Sequence, residues 1–521
     1  MSAQRVTIFD TTLRDGTQGE GVSLSVDDKL KIAKKLDLLG VHYIEGGWPG
    51  SNNKDIEFFE RIKSVSLKHA KVTAFGSTRR KGIKASDDAN LQKIVESGVT
   101  VATIFGKSWD FHVTTALQTT LEENIAMIAD SVSFLKECGL EVIYDAEHFF
   151  DGYKHNSEYA LNTIRAAERA GASWVVLCDT NGGSLPGEIT SIVTTVKNTI
   201  ACSVGIHAHN DSELAVANSL AAIQAGARQV QGTMNGIGER CGNANLCSVI
   251  PNLQLKLGYE CIGTDQLANL TQTARYVNEV ANLHMPVNQP YVGPAAFAHK
   301  GGIHVSAILK HPKTYEHLDP TLVGNQQRVL VSELAGQSNI LFKAQELNMG
   351  VDWEQAQARA IIDKIKQMEH QGYQFEGADA SLELLLREAF GEPELFFTLQ
   401  HYKIIVEKTG GQEGVSEAIL KLHVKGETVY TAAEGHGPVN ALDNALRKAL
   451  TPYYPEIKDF HLSDYKVRVL NEADATAAKV RVLIETTDSH NVWNTVGVSE
   501  NVIDASWEAL VDSIRYALTN K

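Results

Sequence analysis

The 521-residue chain predicts a TIM (β/α)8 barrel followed by a helical linker subdomain and a C-terminal α+β domain built on a repeated βα unit. Three observations carry this reading. Up to about residue 260, apolar, β-rich runs alternate eight times with amphipathic helical stretches. The residues just after those runs are unusually polar, and a TIM barrel keeps its chemistry at the C-terminal ends of its strands. From about Pro393 the pattern turns to short strands followed by a helix, twice over. A chain of this length exceeds one compact core, so we expect domains at 1–285 (barrel), 286–392 (linker) and 393–521 (C-terminal).

The strand runs are Val6–Phe9, Tyr43–Gly46, Lys71–Phe75, Val99–Phe105, Glu141–Tyr144, Trp174–Cys178, Ser203–Ile206 and Gln229–Gly232. Helical stretches between them include Val26–Leu39, Leu121–Cys138, Ser157–Ala170 and Glu213–Ala225. Several stop at a glycine, as in Leu39-Gly40, Cys138-Gly139 and Ala170-Gly171. A doubly wound open sheet is disfavoured because no glycine-rich nucleotide turn follows the first strand. In the linker, Ser338–Leu347, Trp353–Gly372 and Ala380–Phe390 show helical periodicity. In the last domain Glu417–Val424 and Val429–Ala432 lead into a helix over Pro438–Leu450. Lys479–Thr486 and Val492–Val498 likewise lead into Ile503–Leu518.

Composition narrows the function. Hydrophobic residues make up 43%, with 41 glycines, as in ordinary soluble α/β proteins. A net charge of -15 argues against nucleic-acid or acidic-membrane partners, so an anionic substrate needs a local basic pocket. The six cysteines contain no CxxC pair and no disulfide-like framework. With no signal peptide and no apolar run long enough to span a bilayer, a cytoplasmic protein is expected.

The candidate chemistry gathers at the strand ends. His207 and His209 lie one residue apart in Ser203-Val-Gly-Ile-His-Ala-His-Asn210, so a strand sends both to one face. Two barrel-lining histidines satisfied by hydrogen bonds would look the same. However, the first strand ends in Asp10-Thr-Thr-Leu-Arg-Asp-Gly16, and Asp15 would complete a two-histidine, one-carboxylate set with open positions for substrate oxygens. Other polar ends are Glu45-Gly-Gly-Trp-Pro49, Tyr144-Asp-Ala-Glu-His148, Asp179-Thr-Asn-Gly182 and Asn235-Gly-Ile-Gly-Glu-Arg-Cys-Gly-Asn243. Six polar ends around one rim are too many for salt bridges and helix caps alone.

Asp10–Gly16, His207-Ala-His-Asn210 and Asn235–Asn243 closely resemble the motifs of the metal-dependent acyl-CoA condensing enzymes, the 2-isopropylmalate, homocitrate and citramalate synthases. The resemblance spans essentially the whole chain. Thr17-Gln-Gly-Glu-Gly-Val22 and Glu45-Gly-Gly-Trp-Pro-Gly-Ser-Asn52 look most like the longer bacterial citramalate branch. It implies a Claisen condensation of acetyl-CoA, the co-substrate, with a 2-oxo acid, pyruvate above all, followed by thioester hydrolysis in isoleucine biosynthesis. It further implies that Asp15, His207 and His209, with Asn243, hold a divalent cation (Mg, Mn or Zn). Arg14 would sit over the keto oxygen, which requires the turn to twist because Arg14 and Asp15 are neighbours. Glu45 and Thr180 match positions that bind the oxo acid or its metal shell, and Tyr144 is placed with the substrate.

The family's base is a glutamate after the fifth strand with a histidine and a tyrosine from the segment after the barrel, contributed by the other subunit of a homodimer. Those map to Glu147, to His304 in Phe297-Ala-His-Lys-Gly-Gly-Ile-His304, and to Tyr315. His299 competes with His304, and Tyr315 is as well explained by packing. Ile104 and Phe105 offer apolar bulk that suits a short substrate side chain. The Asn235–Gly242 loop could offer N–H groups to a phosphate or carboxylate, though such a loop is commonly just a tight turn. The C-terminal repeat resembles an amino-acid effector domain, for isoleucine or leucine, against the plain alternative of a dimerising domain.

Alternatives remain at this stage. A 2-isopropylmalate synthase would prefer 2-oxoisovalerate, and a homocitrate synthase would need a basic partner for the distal carboxylate of 2-oxoglutarate. Metal-dependent carbon–carbon lyases and aldolases share the triad but lack the doubled C-terminal domain. A non-enzymatic amino-acid sensor on a dead barrel is argued against by the intact polar rim.

Overall fold

The computed structural model describes residues 4–330, 339–340, 342, 355–389, 395–408, 410, 414–470, 478–488 and 491–520. The chain forms two compact units, residues 1–297 with 318–327, and residues 298–317 with 328–521. Each is described by itself.

The first unit is a closed barrel of eight parallel strands in sequential order. They are β1 (Thr7–Asp10), β2 (Tyr43–Gly47), β3 (Lys71–Ser77), β4 (Val101–Lys107), β5 (Glu141–Glu147), β6 (Trp174–Asp179), β7 (Ser203–Ala208) and β8 (Gln229–Gly232). Closure is made by β1 against β8, with Thr7 opposite Gln229 and Asp10 opposite Gly232. Several strands extend past their apolar runs into the polar motifs, because ladder bonds continue while the inward side chains become polar. Phe9, Tyr43, Val101, Ile143 and Val176 fill the barrel interior, whereas the opposite parity packs against the helices.

Helix formation follows local chemistry. Val26–Leu39 starts at a capping box, in which Ser25 accepts from Asp28 N and the Asp28 carboxylate accepts from Ser25 N. It stops at Gly40, whose φ of 88° is left-handed. No described helix is long and apolar enough to cross a membrane, and all six cysteines are free.

The second unit opens with a short parallel pair, β9 (Ala298–His299) and β10 (Arg328–Val329). Helices Gln355–His370 and Asp379–Ala389 follow; the segment predicted at Ser338–Leu347 lies largely outside the described residues. Next come β11 (Phe397–Glu407), β12 (Val415–Val424) and β13 (Glu427–Gly435) with helix Pro438–Leu450. The motif then repeats as β14 (His461–Val469), β15 (Val480–Thr487) and β16 (Val492–Ser499) with helix Val502–Thr519. Each repeat therefore has three antiparallel strands, not two. Leu420, Leu442 and Leu446 of the first repeat share one core with Ile484, Leu510 and Ile514 of the second. Ile361, Ile365 and Leu386 of the two linker helices pack with Val496, so those helices join the C-terminal domain.

Candidate metal centre and reaction cavity

At the C-terminal rim of the barrel a cavity of about 200 Å3 is lined by Arg14, Asp15, His207, His209, Glu147 and Thr180, among others. His207 is the last inward residue of β7 and His209 follows at the same parity. Asp15 arrives from a turn after β1 that runs into a 3-10 segment, Gly16–Gln18. That turn resolves the neighbour problem, since it brings Arg14 and Asp15 into the same cavity.

One ligand atom from each of Asp15, His207 and His209 lies within 4.8 Å of the others, and all three residues are buried. His207 Nε2 is 3.4 Å and His209 Nε2 3.9 Å from Asp15 Oδ2. Burial alone would raise the Asp15 carboxyl, but Arg14 and the two imidazoles hold it well below the usual carboxylate range. Burial and the neighbouring His207 push His209 down to about 4. For His207, burial opposes protonation, yet its bond to Asp15 wins and raises it. Asn243 bridges to His209 through the backbone, and its Oδ1, like Asp15 Oδ1, is buried without a hydrogen-bond partner. An orphaned Asp15 oxygen within reach of two imidazole nitrogens fits a divalent cation, and Asn243 offers a second unpartnered oxygen on a segment bridged to His209.

Arg14 is held from three sides. Its Nε donates to Glu45 Oε2 at 2.6 Å, its Nη1 to Asp15 Oδ2 at 3.1 Å, and its guanidinium lies 3.7 Å from the centre of the Phe75 ring. Glu45 is fully buried and also accepts from Thr11 Oγ1, so it anchors Arg14 and does not line the cavity. Thr180 lines the cavity while its Oγ1 accepts from His148 N at 2.9 Å. Glu147 pairs with Lys107.

Besides Glu45, two further predicted contacts lie off the cavity. Ile104 and Tyr144 are ladder partners on the face turned to the helices, both fully buried in the main core. Their neighbours Phe105 and Asp145 carry the inward parity and line the cavity instead. His304 and Tyr315 belong to the second unit, where both are exposed and their rings stack at 4.1 Å. His299, the competing histidine, pairs with Glu316 at 3.2 Å. The Asn235–Asn243 loop spends its N–H groups on itself: Gly236, Ile237, Gly242 and Asn243 donate to carbonyls of its own residues or its stem. A Cβ at Gly242 would meet Gly236 O at 2.0 Å, so that tight return needs glycine.

Sequence reasoning named Phe105 but passed over the rest of an aromatic wall and two inward polar residues. Trp48 packs edge-on to Phe75 and Phe105, which stack on each other at 5.4 Å. Gln231 of β8 touches His207, and Asp145 of β5 touches Gln231. Burial, then the charge of Glu45, pushes Asp145 up to about 7. The available signal was strand parity, which aims Phe75, Asp145 and Gln231 inward.

The HMGL-like family model matches residues 5–278. The homocitrate synthase post-HMGL domain-like model matches 291–373, and the LeuA allosteric (dimerisation) domain matches 376–518. The chain is 57% identical to the (R)-citramalate synthase of Aquifex aeolicus, covering 99% of this chain and 98% of that one. Identity to the (R)-citramalate synthase of Geobacter sulfurreducens is 56%, over 98% and 97%. The probable 2-isopropylmalate synthase of Methanopyrus kandleri is 33% identical over 98% of each chain.

Proposed function

The chain belongs to the family of (R)-citramalate and 2-isopropylmalate synthases, and we propose that it adds the acetyl group of acetyl-CoA to pyruvate and hydrolyses the thioester, giving (R)-citramalate and CoA. The observation that carries this reading is the small cavity in which Arg14 and the Asp15–His207–His209 cluster face the wall of Trp48, Phe75 and Phe105. A methyl group is the 2-oxo acid substituent that such a wall suits, and the relatives of highest identity cited above bear the same activity in their names.

Asp15, His207, His209 and Asn243 would hold a Mg, Mn or Zn ion, which when bound supplies Lewis-acid polarisation of the 2-oxo acid. Arg14, fixed by Glu45 and Phe75, stabilises the charge that develops on the keto oxygen. Thr180, accepting from His148 N, keeps its hydroxyl hydrogen for the substrate carboxylate. Glu147 takes a proton from the acetyl methyl, with His304 and Tyr315 contributed by the partner of a homodimer. The methyl carbon bonds to the keto carbon, and the keto oxygen becomes a hydroxyl. Water then adds to the thioester and CoA leaves as a thiol.

We place the reaction in isoleucine biosynthesis in the cytoplasm, with an end-product amino acid, isoleucine or leucine, binding the C-terminal repeat as effector. Thiol release measured with a panel of 2-oxo acids, each with and without branched-chain amino acids, tests the whole proposal. Pyruvate should give the highest kcat/KM. A higher value for 2-oxoisovalerate would make the enzyme a 2-isopropylmalate synthase, and absence of thiol release would reject the condensation.

A further inference from the structure

We propose that Asp145 and Gln231 are positioning residues that preset His207 to ligate a cation through Nε2. The inference rests on reading Asp15, His207 and His209 as a divalent-cation site. The three side chains cross the barrel interior in a line, from Asp145 on β5 through Gln231 on β8 to His207 on β7, and all are buried. Gln231 Nε2 donates to Asp145 Oδ1 at 3.0 Å, and Gln231 Oε1 lies 2.8 Å from His207 Nδ1.

The direction of this chain matters. A primary amide has one donor end and one acceptor end. Asp145 Oδ1 accepts, whether the group is ionised or carries a proton on Oδ2, so it draws the NH2 of Gln231 and turns the carbonyl toward His207. A carbonyl also only accepts, so Nδ1 must carry the imidazole hydrogen. In the neutral ring the lone pair then sits on Nε2, the nitrogen facing Asp15. Reversing the amide would set its carbonyl against the Asp145 oxygen, losing that bond, and would leave the hydrogen on Nε2 and block ligation. His209 has no such arrangement: its Nδ1 lies 3.1 Å from Arg240 Nη2, a group that only donates. His207 is therefore the imidazole made ready before any ion arrives.

The test is Mn2+ titration of the full-length protein, followed by EPR without substrates. Gln231→Leu should weaken Mn2+ binding about 10–100-fold, the usual effect of losing the partner that orients a histidine ligand. Gln231→Glu alone sets two carboxylates against each other and should also bind poorly. Combining it with Asp145→Asn restores donor and acceptor order, because the new amide donates to the new carboxylate, which still accepts from Nδ1. That double variant should recover to within about threefold of wild type. The inference is overturned if Gln231→Leu binds like wild type, or if the double variant binds no better than Gln231→Glu alone. Should Gln231→Leu fail to fold by circular dichroism, the second comparison decides. A wild-type protein that bound no Mn2+, Mg2+ or Zn2+ would instead remove the cation-site reading on which the inference stands.

Discussion

Replacing Phe105 with alanine should widen substrate choice at a cost that the geometry sets. Phe105 stacks on Phe75 at 5.4 Å and meets the edge of Trp48 at 5.8 Å, so its ring holds the other two in the wall that lines the cavity. Going from pyruvate to 2-oxoisovalerate adds two carbons to the substituent. If the space vacated in Phe105→Ala buries both, each contributes about 0.8 kcal/mol, or roughly 1.6 kcal/mol together, which is about 15-fold in kcat/KM. The same change loosens Phe75, over which Arg14 lies at 3.7 Å. Loss of part of that cation–π contact, about 0.5–2 kcal/mol, should lower kcat/KM for pyruvate by roughly 2- to 30-fold. The ratio of the two substrates should therefore move by at least one order of magnitude toward the branched acid. Thiol release measured with both acids reads this directly. An unchanged ratio in a variant with a wild-type circular dichroism spectrum would refute the wall as the specificity element.

Asp15→Ala or His207→Ala should abolish turnover, and chelation of the wild type should do the same reversibly; full activity in metal-stripped enzyme would reject the metal role. Arg14→Met should remove activity and destabilise the first unit by about 3–5 kcal/mol in denaturant unfolding, because it strands the fully buried Glu45. In the second unit, burial pushes Asp512 from 3.8 up to about 7. A carboxyl with a raised folded pKa binds its proton more tightly when folded, so its stabilising effect is complete below pH 4 and is lost as pH rises from about 4 to 7. Melting of Asp512→Asn should thus lack this decline, gaining up to about 4 kcal/mol over wild type at pH 8 relative to pH 4. Truncation near Pro393 strips Val496 from Ile361, Ile365 and Leu386, so it should lower stability and turnover while abolishing amino-acid inhibition in the same thiol assay.

The barrel was legible because eight apolar runs must each be buried on both faces, and parity then aimed His207 and His209 together. Ile104, named with Phe105 as apolar bulk, and Tyr144, placed by resemblance, were not tested against that parity and lie one residue away from the inward positions. An apolar residue and a tyrosine suit a helix-facing position as well as a cavity, and only the register with β5 decides. In the C-terminal repeats β12 and β15 were visible because they are central and alternate cleanly. Their neighbours β11 and β14 were missed because their side chains are mostly charged, polar or exposed, as in Asp464-Tyr-Lys-Val-Arg468, whereas the other edges, β13 and β16, carry the apolar runs that were read. Gln231 escaped notice because glutamine has no catalytic signature of its own. Its importance lies in what stands at either end of its amide.

The joint where β1 meets β8 has a thermodynamic consequence. Asp15 leaves the chain's opening strand, whereas His207 and Gln231 come from the last two, so the cluster exists only once the two ends of the sheet have met. An unzipped sheet leaves the cation only the two imidazoles at the end of β7, without the carboxylate. Any ion that binds must therefore add its free energy to keeping the sheet zipped, by RT ln(1 + [ion]/Kd), and cation starvation would loosen the circle at its one non-sequential pairing.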